Sequence, residues 1–240
     1  MSKKIAIVFG GSRGIGAACV KKLNEDGFDV AYTYVSSEPD AVTAAAGTRV
    51  QGYKVDITKP EEVAKVFADV AKDFGGAPSC VLANAGINVP PGPMAQFDPD
   101  NFRKLVEVNI VGAFNILAEA ARQVADNGTI IATTTSLVRN AVPGVGPYSA
   151  TKAAVECLIR SMSKELAGRG VRVNGVAPGP VDTDLFRAGK NEEALKRSAA
   201  MSPLNRVGQP EEIAEVVAFL ASDKASWVLG QIVQPNGGMI

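Results

Sequence analysis

The chain has 240 residues, enough for one large domain or two small ones, and 46% of them are apolar, ample for a sizeable core. Its 25 basic residues balance 25 acidic ones, so the composition makes no electrostatic case for nucleic acid or an anionic membrane, and no apolar run approaches a membrane span. The chain has no histidine, which excludes a Ser-His-Asp triad, a histidine-ligated zinc and any imidazole base.

Cys19, Cys80 and Cys157 form no close pair in sequence, which speaks against disulfides and thiolate metal sites and for a reducing, cytoplasmic compartment. Lys3 and Lys4 precede only a short strand, so no secretory signal is expected. Residues 4–9 read as that strand. Directly behind it comes Gly10-Gly11-Ser12-Arg13-Gly14-Ile15-Gly16, opening a helix over 14–26. Strand, glycine turn and helix start is the arrangement that holds a pyrophosphate, because free amide N–H groups and the positive end of the helix dipole face the anion. An ordinary glycine-rich turn is the other reading, and the position between strand and helix favours a nucleotide. Gly10, Ser12, Arg13, Gly14, Ile15 and Gly16 are the candidate cradle.

Asp29–Val35 reads as a second strand and Val50–Val55 as a third. An acid at the end of the second strand selects NAD by binding the adenosine ribose. Here that stretch is Tyr34-Val35-Ser36-Ser37, with no acid until Glu38. Hydroxyls and a guanidinium bind a 2′-phosphate, which an acid repels. Arg13, Ser36 and Ser37, beside Tyr34, therefore argue for NADP(H) over NAD(H), while Glu38 and Asp40 weigh the other way.

The next helix is expected to be capped by Thr58 with Glu61 three residues on, and Val63, Val66, Phe67, Val70 and Phe74 share its inner face. Ser79–Ala83 reads as a strand, 100–125 as a long helix and Gly128–Thr134 as a strand. A helix over 147–168 carries Val155, Leu158, Ile159, Met162 and Leu166 on one side. Val171–Ala177 reads as a strand, Pro210–Ala221 as a helix and Gln231–Gln234 as a last strand. This βαβα rhythm implies an α/β, single-domain, doubly wound (Rossmann) parallel sheet with helices on both faces, over residues 1–240. Residues 184–205 read as a mobile substrate lid with Leu185 and Phe186 as apolar contacts. Arg169 and Arg172 read either as a docking patch for an acidic carrier protein or as a solvated helix end.

Tyr148-Ser149-Ala150-Thr151-Lys152 puts a tyrosine and a lysine on one helical face. A free phenol has a pKa of about 10, and a nearby ammonium favours the phenolate, so the pair can exchange a proton with a carbonyl or hydroxyl near neutrality. An exposed tyrosine beside a solvated lysine is the plainer reading. The flexible loop Pro143–Pro147 ahead of the pair, on the ligand side of the sheet, favours the chemical one. Asn109 shares a stripe with Leu105 and Ala113, so it points inward and needs a partner.

GGSRGIG, ANAG (83–86), VNIVGAF (108–114), YSATK, VAPGPVDT (176–183) and WVLGQIVQPNGG (227–238) occur in this order. Over essentially its full length the chain thereby resembles the short-chain dehydrogenase/reductase family. GPVDTDLFRAGK and MSPLNRVGQPEEIA make it most similar to the branch of 3-oxoacyl-carrier-protein and trihydroxynaphthalene reductases. The resemblance implies that Tyr148 donates the proton in reduction, that Lys152 lowers its pKa and holds the nicotinamide ribose, and that Asn109 orders a water chain to Lys152. It implies a substrate-binding hydroxyl separated from Tyr148 by twelve intervening residues, which is Thr135, with Ser136 one position nearer; either serves. By the same resemblance Asp56 and Ile57 flank the adenine, Asn84, Ala85 and Gly86 line the cofactor, and Pro178, Gly179, Val181 and Thr183 meet the nicotinamide side. Phe9, Ala83 and the PNGG end depart from common family residues without removing a catalytic group.

The implied activity is NADPH-dependent reduction of a small-molecule carbonyl (a 3-oxoacyl thioester, a quinone-like compound or another ketone) with no nucleic-acid or membrane partner. An NAD-dependent alcohol dehydrogenase of the same family is the alternative, and a non-catalytic dinucleotide-binding regulator is another, against which Asn109, Tyr148 and Lys152 speak. The family further implies a homotetramer, or a homodimer, built on the 100–125 and 147–168 helices, with the C-terminal strand at a second interface; the apolar stretch Trp227-Val228-Leu229 is consistent with burial.

Overall fold

The run Ile5–Phe9 is apolar at every position, and every one of its residues is buried; this is what a strand covered on both faces requires. It forms β1, an interior strand of the sheet. The computed structural model describes residues 4–36 and 45–240. Among these, β1, β2 (Asp29–Tyr34), β3 (Val50–Lys54), β4 (Cys80–Ala83), β5 (Thr129–Thr133), β6 (Arg172–Val176) and β7 (Ile232–Val233) form one parallel sheet in the order β3-β2-β1-β4-β5-β6-β7. The winding reverses between β1 and β4. A crevice therefore opens beyond the carboxyl ends of these two strands, where ligands of such sheets bind.

Side chains alternate across the sheet, so each face has its own core. Ile5, Ile7 and Phe9 point to the side covered by α2 (Pro60–Phe74), α4 (Ala113–Gln123) and α5 (Gly146–Glu165). Ala6 and Val8 point to the side covered by α1 (Gly14–Glu25) and α8 (Pro210–Ala221). Cys19 and Cys80 lie in this second core as free thiols, where burial pushes both up to about 12. No helix among the described residues is long and apolar enough to cross a membrane.

The expected helix over 100–125 is divided. α3 (Pro99–Val106) starts at Asp98, whose side chain accepts from the Asp100 N–H. A π-helical segment, Glu107–Gly112, follows before α4 begins. The expected cap on α2 is not formed. Pro60 occupies the first turn, and Lys59 takes the N-cap position in extended backbone (φ −103°, ψ 103°). Proline suits that first turn because it lacks an N–H, and it disfavours helical backbone in the residue before it. Thr58 instead donates its hydroxyl to Asp56 Oδ1 at 2.8 Å.

The 184–205 stretch folds into two short helices, α6 (Asp184–Arg187) and α7 (Glu192–Ala199), capped by Thr183 and Asn191. Leu185 is exposed, whereas Phe186 is half-buried beneath the Lys190 ammonium. Arg169 and Arg172 are half-buried, and both guanidiniums are engaged within the chain. Arg172 donates to the Leu220, Ser222 and Ala225 carbonyls, and Arg169 to those of Ala121 and Val124 and to Asp126 Oδ1. The last carbonyls of a helix lack intrahelical partners, and these guanidiniums supply them at the ends of α4 and α8.

Candidate active site

Two neighbours, Thr33 and Asn84, hold the glycine loop in its shape. Gly10, at φ +76°, donates its N–H to Thr33 Oγ1 at 3.0 Å, and the Gly11 N–H reaches Thr33 O at 3.0 Å. Asn84 Nδ2 donates to Gly10 O at 3.0 Å, while Asn84 Oδ1 accepts from the Thr133 hydroxyl at 3.1 Å. The loop is thus tied to β2, β4 and β5. A Cβ on Gly10 would stand 2.8 Å from Ala85 Cα, and one on Gly16 only 1.9 Å from Gly10 O. Arg13 sits at the N-cap of α1 in extended backbone and gives the helix no side-chain cap. The first turn of α1 also holds no acid. Its outward N–H groups and positive dipole end therefore face the crevice without an internal anion, which fits a bound pyrophosphate.

Around this cradle, Ser12 and Ile15 are half-buried and the Arg13 side chain is exposed. Tyr34 is half-buried and Ser36 exposed at the end of β2; Ser37, Glu38 and Asp40 lie outside the described residues. Asp56 Oδ1 accepts from the Thr58 N–H at 3.0 Å. Ile57 packs on Gly112, where a Cβ would come within 2.7 Å of it. Thr183 borders the loop: a Cβ on Gly14 would lie 3.1 Å from its methyl group. Val181 is buried and bridges to Gly208, Gly179 donates its N–H to Pro235 O, and Pro178 O accepts from the Ser136 N–H.

Asn109 lies in the π segment and is wholly buried. Its Oδ1 accepts from the Ile87 N–H at 2.9 Å, and its Nδ2 donates to Ile87 O at 2.9 Å and to Thr151 Oγ1 at 3.2 Å. Thr151 donates in turn to Tyr148 O at 2.7 Å. The π segment, the chain after β4 and the first turn of α5 are locked together in this way. The Lys152 ammonium donates to Thr133 O at 3.0 Å. A Cβ on Gly86 would stand 3.0 Å from Asn109 Oδ1 and 3.3 Å from Lys152 Nζ, so glycine allows the chain to pass there.

The two hydroxyls after β5 differ. Ser136 Oγ donates to Ala177 O at 2.7 Å and accepts from Asn236 Nδ2 at 3.3 Å. Thr135 Oγ1 accepts from the Leu137 N–H at 3.3 Å and donates to none of the described residues. Of the two hydroxyls, Thr135 is the one whose proton is not committed to a neighbour among the described residues.

Burial dominates the proton affinities of the tyrosine–lysine pair. It pushes the Tyr148 phenol up to about 12, the opposite of the lowering expected from the neighbouring ammonium. It brings the Lys152 ammonium down to about 8. At neutral pH the phenol therefore holds its proton and most of the lysine is charged. That is the protonation state for giving a proton to a carbonyl oxygen.

The family model described as enoyl-(acyl carrier protein) reductase matches residues 10–240. A short-chain type dehydrogenase/reductase of Picea abies is 38% identical over 251 residues, spanning 99% of this chain and 92% of that protein. An NADPH-dependent aldehyde reductase-like protein, chloroplastic, of Arabidopsis thaliana is 37% identical over 258 residues, spanning 100% and 95%. The crystal structure of a short chain dehydrogenase from Burkholderia cenocepacia in complex with NADP superposes with a TM-score of 0.91 at 32% identity, covering 98% of this chain and 97% of that one. With these matches over almost its whole length, the chain belongs to the short-chain dehydrogenase/reductase family of NAD(P)-dependent oxidoreductases.

Proposed function

We propose that the protein reduces a small-molecule carbonyl to an alcohol with NADPH. The observation that carries this reading is the buried Lys152, tied to Thr133 O one turn beyond Tyr148, in a chain with no histidine. NADPH, when bound, supplies the hydride. Gly10, Ser12, Gly14, Ile15 and Gly16 hold its pyrophosphate, Arg13 with Ser36 its 2′-phosphate, and Asp56 with Ile57 its adenine. Asn84, Ala85, Gly86, Pro178, Gly179, Val181 and Thr183 line its nicotinamide half. Thr135 donates a hydrogen bond to the carbonyl oxygen, and Tyr148 gives that oxygen its proton, leaving a phenolate. The Lys152 ammonium favours that phenolate, and Asn109 holds the surrounding backbone in register. The 184–205 segment serves as the lid over the substrate, and the free thiols fit a reducing cytoplasm.

The test is NADPH oxidation by the purified protein with a panel of aldehydes, ketones, β-ketoacyl thioesters and quinones; no turnover with any of them ends the reading. Cofactor choice follows from Arg13. A charge-assisted contact to a phosphate contributes roughly 1.5–3 kcal/mol, which corresponds to about tenfold or more in affinity. NADPH should therefore bind at least ~tenfold more tightly than NADH. Arg13→Ala should erase most of that difference while leaving NADH binding nearly unchanged. The relative described as NADPH-dependent and the neighbour solved with NADP support this choice. Fluorescence titration of both reduced cofactors checks it, and equal or tighter NADH binding reverses it.

The charge on Lys152 sets the pH dependence. The ammonium is the acid form, so it is present below about 8 and lost above, while Tyr148 keeps its proton to about 12. Reductive kcat/KM should therefore be level on the acid side of 8 and fall as the pH rises through it. A profile that stays flat well above that point removes Lys152 from this role.

Assembly into a homotetramer is part of the same proposal. Phe102 and Phe114 are exposed on α3 and α4, and Trp227 is 98% exposed, so the expected burial of Trp227-Val228-Leu229 requires a second copy. Size exclusion with light scattering should return four chains; a stable, active monomer at micromolar concentration would sink this.

A further inference from the structure

Glu156 lies on α5 one turn beyond Lys152, and the proposed chemistry gives it no task. It is 2% exposed. A carboxylate taken so far out of water is costly unless it is paired and hydrogen-bonded. Its Oε1 accepts from Arg139 Nη1 at 2.9 Å and from the Thr134 hydroxyl at 3.3 Å, a proton it shares with Val176 O at 3.4 Å, and its Oε2 lies 3.5 Å from Arg160 Nη1 on the same helix. Thr134 and Arg139 stand on either side of Thr135 and the 3-10 turn Ser136–Val138. One buried carboxylate therefore grips the turn after β5 at both ends, and it belongs to the helix that carries Tyr148 and Lys152.

We propose that Glu156, through Arg139 and Thr134, is a positioning residue that locks the Thr135 turn onto α5 and so fixes where a carbonyl oxygen sits relative to the Tyr148 phenol. This rests on the roles given above to Thr135 and Tyr148. A misplacement of about 1 Å costs on the order of 10²-fold in rate, so a small slip of this turn is enough to matter. A pair that merely stabilised the fold could be exchanged for apolar side chains of similar volume with little loss. A positioning pair could not.

The experiment compares Glu156→Leu, Arg139→Met, the double variant and Glu156→Gln in the full chain. It uses NADPH with benzaldehyde, or whichever carbonyl of the panel is reduced fastest. Arg139→Met leaves the buried carboxylate with only Arg160 and Thr134, and should lower both Tm and kcat; Glu156→Leu leaves two partly exposed guanidiniums without a partner, and should lower kcat. The double variant should recover Tm, yet keep kcat down at least ~tenfold with NADPH affinity within about twofold of the parent. Glu156→Gln, which retains an acceptor oxygen for Thr134 and Arg139, should return kcat to within about threefold. Recovery of kcat together with Tm in the double variant overturns the proposal, as does a Gln variant no better than Leu. If the double variant does not fold, Thr134→Val decides, since it removes one grip without stranding a charge. A kcat reduced at least ~threefold at unchanged NADPH affinity supports the proposal, and an unchanged kcat overturns it. Tyr148→Phe is measured alongside: if it is folded and inactive while the clamp variants are normal, only the clamp is wrong. An active Tyr148→Phe refutes the site itself.

Discussion

Tyr148→Phe should lower turnover at least ~10²-fold, the usual scale for loss of a general acid, with NADPH still bound. The substitution removes a single oxygen. The helix that presents it stays fixed, because the Asn109–Thr151–Tyr148 chain of hydrogen bonds runs through the tyrosine's backbone carbonyl and not its phenol. Lys152 likewise keeps its bond to Thr133 O. Among side chains able to hold a proton at neutral pH, the crevice offers no histidine to substitute, and the Lys152 ammonium points at a backbone carbonyl. The loss should appear in kcat with a near-normal KM, as expected for an interaction made only in the transition state. Near-parental turnover by Tyr148→Phe, on a carbonyl the parent reduces, would show that the proton comes from elsewhere.

The parallel sheet could be read from sequence because its strands are buried on both faces. Runs such as Ile5–Phe9 and Cys80–Ala83 leave no polar alternation to confuse them with surface strands. What escaped is what depends on contacts distant in sequence. The π segment gives no signal in the apolar stripe of Leu105, Asn109 and Ala113, since it is defined by backbone pairing. Thr151 and Glu156 look like ordinary polar positions of an amphipathic helix, and only the fold brings them to Asn109, Thr134 and Arg139. Thr135 and Ser136 are indistinguishable by type; what separates them is the Ala177 carbonyl and the Asn236 amide, which engage Ser136. Arg169 and Arg172 looked free for the same reason, because the carbonyls they serve come from other helices. The direction of the Tyr148 shift was missed because a sequence records the neighbouring charge but not the depth of burial.

Gly16→Ala should weaken NADPH binding at least ~tenfold, although helix propensity alone favours alanine in α1 by about 1 kcal/mol. The decisive quantity is distance. The new Cβ would stand 1.9 Å from Gly10 O and 2.7 Å from Asn84 Nδ2. The first of these atoms is backbone and cannot swing aside like a side-chain tip. Either α1 or the Gly10 turn must move, and the turn has Ala85 against its other side. Overpacking of this kind costs about 1–3 kcal/mol, more than the propensity gain, so the net effect is destabilising. Movement also breaks the Asn84 Nδ2 to Gly10 O bond, which joins the phosphate loop to β4. The N–H groups proposed to hold the pyrophosphate then lose their common aim, so affinity falls further than stability. Gly168→Ala is the control: nothing stands within 4 Å of its Cβ position, and its stability and cofactor binding should change by less than about 0.5 kcal/mol. Titration of NADPH by fluorescence and urea unfolding of both variants give the comparison. Equal cofactor affinity in Gly16→Ala and the parent would mean that the pyrophosphate does not lie on this loop.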